Sequence, residues 1–401
     1  IAGSYPAFYL SRFDPVKVLK GTFRVGRFAS LPRQVLVVLQ FSVSLTLIIG
    51  TLIVYRQIQY GQERPIGYHR DGLVTVEVNT SDLVDHVNAI RQELLQKGLV
   101  ANFAYSSQKV TNFDNNNDLD WRGKRPDQGS VWFRNVNVSR DFGRTVGWQV
   151  VQGRDFSYDH LTDSSAMILN EASVKAVGIP NPVGEVMKFG GRNYTVIGVV
   201  KDMVTQSPYE RIEPAIFLGD GWFSTITMRL PPNKSISASL DALRPVFTKY
   251  NPGSPFIYQF SNDDYAQKFE DEVRVGRLSL VFTVLAIFIS CLGLFGLASF
   301  VAEQRTKEIG VRKVLGANVF ILWGLLSMNF IKLVILSFFI SMPLGYLFMK
   351  KWLENYIYQT ELSWWIFAAS GAGILLVTLL TVSYQSLKAA TMNPVKSLRS
   401  E

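Results

Sequence analysis

The sequence predicts an α-helical transmembrane protein with four spans and a large extracytoplasmic α+β domain inserted between spans 1 and 2. Three observations predict this fold class. The chain of 401 residues is 48% hydrophobic and only 18% charged, which is more apolar than the usual soluble protein. Residues 34–55, 278–301, 333–349 and 364–387 carry few or no charges, and each run approaches the roughly 20 residues that a membrane helix needs. About 220 residues separate the first two runs, which is enough to bury a core.

Basic residues at both ends and in the middle loop predict that all three lie in the cytoplasm. The segment before the first span contains six basic residues and one acid, Asp14, and the positive-inside rule places such segments on the cytoplasmic face. The formal charge of +9 therefore reflects topology, and we expect no nucleic-acid partner. The basic residues are Arg12, Lys17, Lys20, Arg24, Arg27 and Arg33 before the first span, Arg305, Lys307, Arg312 and Lys313 in the middle loop, and Lys388, Lys396 and Arg399 at the end.

This topology divides the chain into consecutive segments, each with the composition expected of its surroundings. Lys332 interrupts the third apolar run, and it either lies in mid-bilayer or marks the entry into a span. We expect the second, because a lysine near a span end can reach the interface. The predicted segments are a basic cytoplasmic connector (1–33), transmembrane helix 1 (34–57), the extracytoplasmic domain (58–277), transmembrane helix 2 (278–301), a charged cytoplasmic helix (302–318), an interfacial segment with transmembrane helix 3 (319–349), an outer loop (350–363), transmembrane helix 4 (364–387) and a cytoplasmic tail (388–401).

The first residues of the chain are similar to its last ones. Asp14-Pro15-Val16-Lys17 matches Asn393-Pro394-Val395-Lys396, and Ser4-Tyr5 matches Ser383-Tyr384 at the same offset. A shared tail at a single offset indicates an internal repeat, although short basic tails also match by coincidence. We therefore expect residues 1–33 to end a preceding half, so that the whole protein has two similar four-span halves.

The extracytoplasmic domain combines period-2 strand patterns with two helical patterns. A strand followed by a helix stands at its beginning, and a strand, a helix and a strand stand near its end, which predicts one α+β subdomain built from both ends. Glycine-punctuated strands lie between them, so the insertion is predicted to be mainly β. The predicted strands are 73–78, 131–138, 166–169, 193–200, 225–230 and 255–260, and the predicted helices are 82–97 and 237–250.

Small residues in the spans predict close contacts between helices. In the second span Ser290, Gly293, Gly296 and Ser299 recur at every third position, and in the third span Ser337, Ser341 and Gly345 recur at every fourth. Such small side chains let helix backbones approach each other in a membrane. The predicted packing residues are Gly293, Gly296, Ser337, Ser341 and Gly345.

Residues 303–318, EQRTKEIGVRKVLGAN, follow directly on the second span and are unusually charged for a membrane protein. Glu303 with Lys307, and Glu308 with Arg312, stand four apart in the order that favours pairing on a helix. The apolar residues of the stretch can share one side of that helix, and its glycine is suited to ending it. A short amphipathic helix at the inner membrane face is predicted, and a basic loop that only fixes topology is the alternative. The apolar residues are Ile309, Val311, Val314 and Leu315, and the glycine is Gly316 with Asn318 after it.

This stretch closely resembles the motif that follows the second span in permeases of the MacB/FtsX family. The resemblance rests on Arg305-Thr306-Lys307-Glu308-Ile309-Gly310 followed by Arg312-Lys313-x-Leu315-Gly316-Ala317. It implies that the helix docks on a separate cytoplasmic ABC ATPase and passes the closure of that ATPase to the membrane helices. The coupling residues so implied are Glu303, Arg305, Lys307, Glu308, Ile309, Gly310, Arg312, Lys313, Leu315 and Gly316. A weaker resemblance of residues 153–156, 168–171 and 196–202 to the family's periplasmic region makes the external domain MacB-like.

Patterns for catalysis and metal binding are missing from the sequence. Gly123-Lys124 is followed by Arg125 and lacks the glycine-rich loop that cradles phosphates, so we expect no enzyme activity and no cofactor, with ATP bound by the partner. The three histidines have no Cys or His at metal spacing, and residues 114–120 lack the glycine and glutamate of a calcium loop. We therefore expect no metal. The single Cys291 cannot form an internal disulfide.

The resemblance implies a permease subunit that transmits ATP-driven motion to the external domain, as in drug efflux, peptide export or lipoprotein release. A membrane scaffold that regulates cell-wall hydrolases is the alternative, since one branch of the same family has that role. The expected location is the bacterial inner membrane, with the lipid bilayer, an ABC ATPase and a periplasmic partner or cargo as the expected contacts. No pattern in the sequence indicates the cargo.

Overall fold

The computed structural model describes residues 31–124, 131–219 and 221–391. Residues 1–30 of the predicted connector and residues 392–401 of the predicted tail lie outside these ranges. Most of the predicted internal repeat therefore lies outside them as well. The described chain forms two compact units, which we call the helix bundle and the external domain. The external domain comprises Tyr55–Val275 and also Leu353–Thr360, and the helix bundle comprises the remaining described residues.

The described residues form ten α-helices, four of which are long. The helices are α1 Leu31–Glu63, α2 Ser81–Gln96, α3 Phe142–Val146, α4 Glu171–Val177, α5 Ile236–Tyr250, α6 Ser261–Gln267, α7 Glu270–Gln304, α8 Thr306–Val314, α9 Val319–Leu353 and α10 Trp364–Thr391. Within the described ranges, α1, α7, α9 and α10 are long and apolar enough to cross a membrane. The four predicted spans therefore correspond to four helices.

The third span helix departs from its predicted bounds. α9 runs without interruption from Val319 to Leu353, through both Lys332 and Pro343, so the predicted interfacial segment and span form one helix. At its end Leu353 is buried, and residues Leu353–Thr360 belong to the external domain. The predicted boundary at residue 350 was therefore wrong, because the charges of Lys350 and Lys351 do not stop a helix whose last residue is buried.

The described part of the external domain is built on a single sheet of twelve strands. The strands are β1 Leu73–Glu77, β2 Asn102–Ser106, β3 Asn116–Asp118, β4 Asp120–Trp121, β5 Trp132–Val138, β6 Val150–Gly153, β7 Ala166–Asn170, β8 Val186–Phe189, β9 Arg192–Val200, β10 Ala215–Gly219, β11 Thr225–Arg229 and β12 Gln259–Phe260. Their order is β12-β1-β11-β2-β5-β10-β7-β9-β8-β4, with β3 beside β5 and β6 beside β9. The β5–β10 and β7–β9 pairs are parallel, and the other pairs are antiparallel.

Among the described residues, two of the hydrophobic cores that lie on this sheet show how the domain is built. The first joins β1, β2 and β11 to α2 and α5, with Ile90, Ile226 and Leu243 fully buried. It confirms that both ends of the domain contribute to one α+β subdomain. The second core lies among β5, β7, β9 and β10 around Phe133 and Leu169, which confirms a mainly β insertion.

The predicted strand at 255–260 is mostly irregular. Only Gln259–Phe260 pairs, with Val74 and Thr75 of β1. Phe256 instead stacks on Phe247 at a ring-centroid distance of 4.7 Å. The prediction was wrong for residues 255–258, because Phe256 and Tyr258 are half-buried by ring packing while Ile257 is exposed, and none of them pairs in the sheet.

Candidate coupling site

A short helix follows the second span at the predicted place. α7 ends at Gln304, Arg305 forms a turn, and α8 runs from Thr306 to Val314. Gly316 has a φ of 90°, a conformation that favours glycine, and its amide donates to the Lys313 carbonyl at 3.1 Å. The Ala317 amide donates to the Arg312 carbonyl at 2.9 Å. These two bonds form a Schellman motif and confirm that Gly316 ends the helix.

Glu308 and Arg312 form the ion pair that their spacing predicts. The Arg312 Nη2 atom lies 2.8 Å from the Glu308 Oε1 atom, and each side chain is somewhat less than half exposed. Such a pair contributes only about 0.3–0.5 kcal/mol to helix stability, so its charges are free to serve a second interaction. The pair predicted between Glu303 and Lys307 involves a side chain outside those that the structure describes.

The apolar residues of α8 lie on two opposite sides. Ile309 is only 6% exposed and packs on Leu322 and Leu326 of α9. Val311, Val314 and Leu315 are 48%, 67% and 80% exposed. The prediction that all four share one side was wrong, because about 100° of rotation per residue places positions 311, 314 and 315 opposite position 309.

α8 therefore has an anchored side and an accessible side. We call the accessible side the α8 outer face and define it by Glu308, Val311, Arg312, Val314 and Leu315. The other residues predicted for coupling are distributed around it: Glu303 is exposed, Arg305 and Lys313 are half-buried, and Gly310 is buried. Mixed apolar and charged faces of this kind are typical of protein interaction surfaces.

α9 is fixed to α1 by serine hydroxyls. The Ser337 hydroxyl is shared between the Val38 carbonyl of α1 at 3.1 Å and the Leu333 carbonyl of its own helix at 2.8 Å. The Ser341 hydroxyl is shared in the same way between the Ser42 carbonyl of α1 at 3.0 Å and the Ser337 carbonyl at 2.6 Å. A Cβ atom added at Gly345 would lie 3.2 Å from Ile49, which shows how closely the helices approach. All three residues of this predicted ladder thus lie where α9 meets α1.

The predicted ladder of the second span is only partly at a helix contact. A Cβ atom added at Gly293 would lie 2.8 Å from Oε1 of Gln40 in α1. At Gly296 it would meet no atom within 4 Å among the described residues, so Gly296 does not lie at a contact there. Positions three apart rotate by about 300°, so a three-residue repeat drifts around the helix. The buried residues of α7 instead include Ser290, Leu294 and Leu297.

Three side-chain hydrogen bonds between helices have partners that were not predicted. The Ser44 and Ser290 hydroxyls lie 3.0 Å apart, and those of Thr51 and Thr283 lie 2.9 Å apart, so two bonds join α1 to α7. The Trp323 indole donates to the Ser383 hydroxyl at 3.0 Å and joins α9 to α10. The signal in the sequence is a polar atom within an apolar run, but the sequence does not indicate its partner.

Comparison with known proteins agrees with this architecture. Residues 280–394 match the family model of the FtsX-like permease C-terminal region, and residues 35–246, more than half of the chain, match that of the MacB-like periplasmic core domain. The fold and these matches define a multi-pass membrane protein of the ABC-transporter permease class. The chain belongs to the MacB/FtsX family of permeases.

Curated relatives are longer than this chain. It is 25% identical over 195 residues to the macrolide export ATP-binding/permease protein MacB of Chromobacterium violaceum, a match that covers 46% of this chain and 30% of that protein. The protein of the same name from Aggregatibacter actinomycetemcomitans is 25% identical over 208 residues, covering 47% of this chain and 32% of that protein. The chain thus spans about a third of the length of these relatives.

Two solved structures are similar to about half of this chain. The periplasmic region of MacB from Actinobacillus actinomycetemcomitans gives a TM-score of 0.38 at 16% identity and covers 52% of this chain and 97% of that one. The extracellular domain of the noncanonic ABC-type transporter YknZ from Gram-positive bacteria gives a TM-score of 0.35 at 14% identity and covers 47% of this chain and 97% of that one.

Proposed function

We propose that this chain is a permease subunit that transmits the ATP-driven closure of a separate cytoplasmic ABC ATPase to its extracytoplasmic domain. The observation that carries the proposal is the two-sided α8. Ile309 anchors the helix on α9, while Val311, Val314 and Leu315 stay accessible beside the Glu308–Arg312 pair. A partner that docks on the α8 outer face would bury apolar surface and meet both signs of charge.

Contacts inside the helix bundle would carry a force from the docked ATPase to several spans. A force on α8 acts on the first turns of α9 through Ile309 and Leu322. Ser337 and Ser341 tie α9 to α1, and Ser44 ties α1 to Ser290 of α7. Packed helices with satisfied hydrogen bonds move as connected bodies, so the push of the ATPase would shift several spans together.

The proposal includes orientation, location and cargo. In this proposal α8 and both ends of this chain lie on the cytoplasmic side of a bacterial inner membrane, which the distribution of basic residues supports. The external domain then faces the periplasm, where it would engage a partner or cargo. Because two similar proteins are named for macrolide export, we propose that the cargo is a drug-like or lipophilic molecule handled outside the bilayer. ATP would be bound by the partner alone.

The test is co-purification of the full chain with the ABC ATPase encoded beside it. In the double variant Glu308→Lys with Arg312→Glu, the two charges are exchanged, so α8 keeps an internal pair while its outer face is reversed. We expect the ATPase to co-purify with the wild type and to be lost from this variant. Leu315→Asp should have the same effect, because Leu315 is the most exposed apolar residue of the outer face.

A matched control is available on α7. Asp271 and Arg274 form an exposed pair three residues apart, and exchanging their charges should leave the ATPase bound. If the wild type retains no ATPase, or if the α8 variants retain it fully, the proposed coupling is wrong. A scaffold that regulates cell-wall hydrolases would then be the function to test, by binding of such a hydrolase to the full chain.

A further inference from the structure

The segment Leu353–Thr360, between α9 and α10, is held by one buried amide side chain. Gln57 of α1 is 0% exposed. Its Nε2 atom donates to the Tyr358 carbonyl at 2.8 Å, and its Oε1 atom accepts from the Thr360 amide at 2.7 Å. Both ends of the glutamine are therefore satisfied by the backbone of a segment about 300 positions away, and a buried amide that lost these partners would be strongly unfavourable.

Aromatic contacts hold the same segment from a second side. The Tyr209 ring lies edge-on to the Tyr356 ring at 4.8 Å between centroids, and the Tyr209 carbonyl accepts from the Ile357 amide at 3.2 Å. The Arg64 guanidinium lies 3.3 Å from the centroid of the Tyr358 ring. We call this arrangement the outer clasp, and define it as Gln57, Arg64 and Tyr209 with segment Leu353–Thr360.

Arg64 and Tyr209 are themselves fixed within the external domain. Arg64 also donates to the Pro208 carbonyl at 3.0 Å, which holds the residue next to Tyr209. Tyr209 is 5% exposed and packs edge-on against Phe269 at 5.7 Å. A Cβ atom added at Gly61 would lie 2.8 Å from Phe269, so α1 approaches this ring as closely as a glycine allows. The clasp is thus a packed part of the domain core.

The clasp stands at the far end of α9, one of the two helices that α8 contacts. α9 is one helix of 35 residues, with Leu322 and Leu326 against Ile309 near its start and Leu353 at its end. A helix of that length spans about 50 Å, and it continues without a break through Pro343, so a displacement of its first turns is carried along it to its last. A loose loop at the end would absorb that displacement, whereas a clasped segment passes it on.

We infer that segment Leu353–Thr360 is a transmission contact by which α9 moves the external domain, and that Gln57 is the residue that positions it. This inference rests on the proposed function, since the motion originates at α8. By this inference the third and fourth spans act on the external domain through the outer clasp. This action is separate from the covalent connections that α1 and α7 make to the domain. The clasp holds a short loop by hydrogen bonds and ring contacts, and single substitutions can remove either kind.

The experiment compares Gln57→Leu with Gln59→Leu in the full chain, each purified with the ABC ATPase. Gln59 is exposed, and its hydrogen bond goes to Tyr55 on the same helix, so it is a matched control. Tyr209→Ala and Tyr209→Phe form a second pair. Phenylalanine keeps the ring contacts and removes only a hydroxyl that has no hydrogen-bond partner among the described residues. Amide hydrogen exchange is measured with and without ATP.

Three results support the inference together. In Gln57→Leu the Thr360 amide should exchange about tenfold faster than in the wild type, because its acceptor is gone. The ATPase should still co-purify and hydrolyse ATP. The ATP-dependent change in exchange within the external domain should be lost in Gln57→Leu and Tyr209→Ala, and kept in Gln59→Leu and Tyr209→Phe.

Other results overturn the inference in distinguishable ways. In one such result, the Thr360 amide of Gln57→Leu exchanges faster, but the exchange of the external domain still changes with ATP. The clasp then does not transmit the motion of α9, while the proposed function stands. If Gln59→Leu loses the ATP-dependent change in exchange as fully as Gln57→Leu does, the cause is a general disturbance of α1, and the inference is also overturned. A wild type that binds no ATPase removes the proposed function and the inference with it. Protection of the Ile226 amide in the first core serves as the folding control.

Discussion

The external domain and the helix bundle differ in how much of their large apolar side chains they expose. In the external domain Phe217 and Leu243 are completely buried on a twelve-stranded sheet. In the bundle Phe339 and Leu347 are exposed, while Ser337 is completely buried between helices. Water drives apolar surface inward, whereas lipid tails are as apolar as leucine and provide no such drive. Small residues and hydroxyl–carbonyl contacts therefore add to the apolar packing of the bundle around Phe41 and Leu45, whereas packed apolar cores hold the domain.

Removing an aromatic ring from the core of the external domain should give the largest loss of stability. Phe217 of β10 lies edge-on to Phe113 at 5.8 Å and to Trp148 at 4.9 Å. Phe217→Ala should reduce the free energy of unfolding by about 3–5 kcal/mol, because it leaves a cavity in a closed core. Faster amide exchange in β10 of the full chain measures this. Trp132→Ala, at an exposed position of β5, is the control and should change little.

A buried ion pair provides the next test, and it depends on pH. Asp163 is completely buried, and the Arg154 guanidinium donates to both of its oxygens at 2.9 and 2.7 Å. Burial alone would raise the pKa of the Asp163 carboxyl, but hydrogen bonds from Arg154 and the Ser157 amide outweigh it and lower the pKa below its ordinary value. The pair therefore stabilises the fold above the unfolded pKa of about 4, and this contribution is lost as the pH falls through that value toward the folded pKa.

Arg154→Met should therefore destabilise the external domain by about 2–3 kcal/mol at pH 7, discounted because Arg154 is partly exposed. The difference from the wild type should shrink below about pH 4, where Asp163 is protonated in the unfolded chain. Thermal unfolding of the full chain at several pH values measures both effects. A deficit that is independent of pH would show that Arg154 acts through packing alone.

Two glycines of the helix bundle test whether close helix contacts stabilise it. A Cβ atom added at Gly371 would lie 2.8 Å from the Phe338 ring, whereas one added at Gly296 would meet no described atom within 4 Å. Gly371→Ala should destabilise the bundle by about 1–2 kcal/mol through overpacking, and Gly296→Ala should be neutral. Thermal loss of helical circular dichroism in detergent compares the two. Equal effects would mean that helix propensity, and not contact, decides them.

The smallest expected effect concerns a hydroxyl bond between spans. Ser341→Ala removes the bond to the Ser42 carbonyl in α1. The cost should be about 0.6 kcal/mol, typical of hydrogen bonds between membrane helices, because the freed carbonyl keeps its bond within the helix. Thr381→Ala is the control for the bond within a helix, because the Thr381 hydroxyl bonds to Val377 of its own helix, as the Ser341 hydroxyl also does to Ser337 at 2.6 Å. A cost above about 2 kcal/mol for Ser341→Ala would show that hydroxyl bonds dominate the bundle.

The coupling helix shows how far sequence reasoning reached. Glycine at position 316 and the four-residue spacing of Glu308 and Arg312 are local features, and the helix end and the ion pair were both confirmed. The orientation of Ile309 was not predicted correctly, because it depends on α9 packing against one side of α8. The role of these residues in docking an ATPase stays a prediction.

The sequence by itself determined the four spans, the inserted α+β domain and the family. The length of an apolar run, the period of a strand or helix pattern and the coupling motif are all local features of consecutive residues. Only the tertiary structure decided which hydroxyls pair between spans, which side of α8 stays accessible, and that Gln57 clasps the segment ending at Thr360. Gln57 and Tyr358 are 301 positions apart. A contact over that distance is chosen by how helices and strands pack, and no local pattern contains that information.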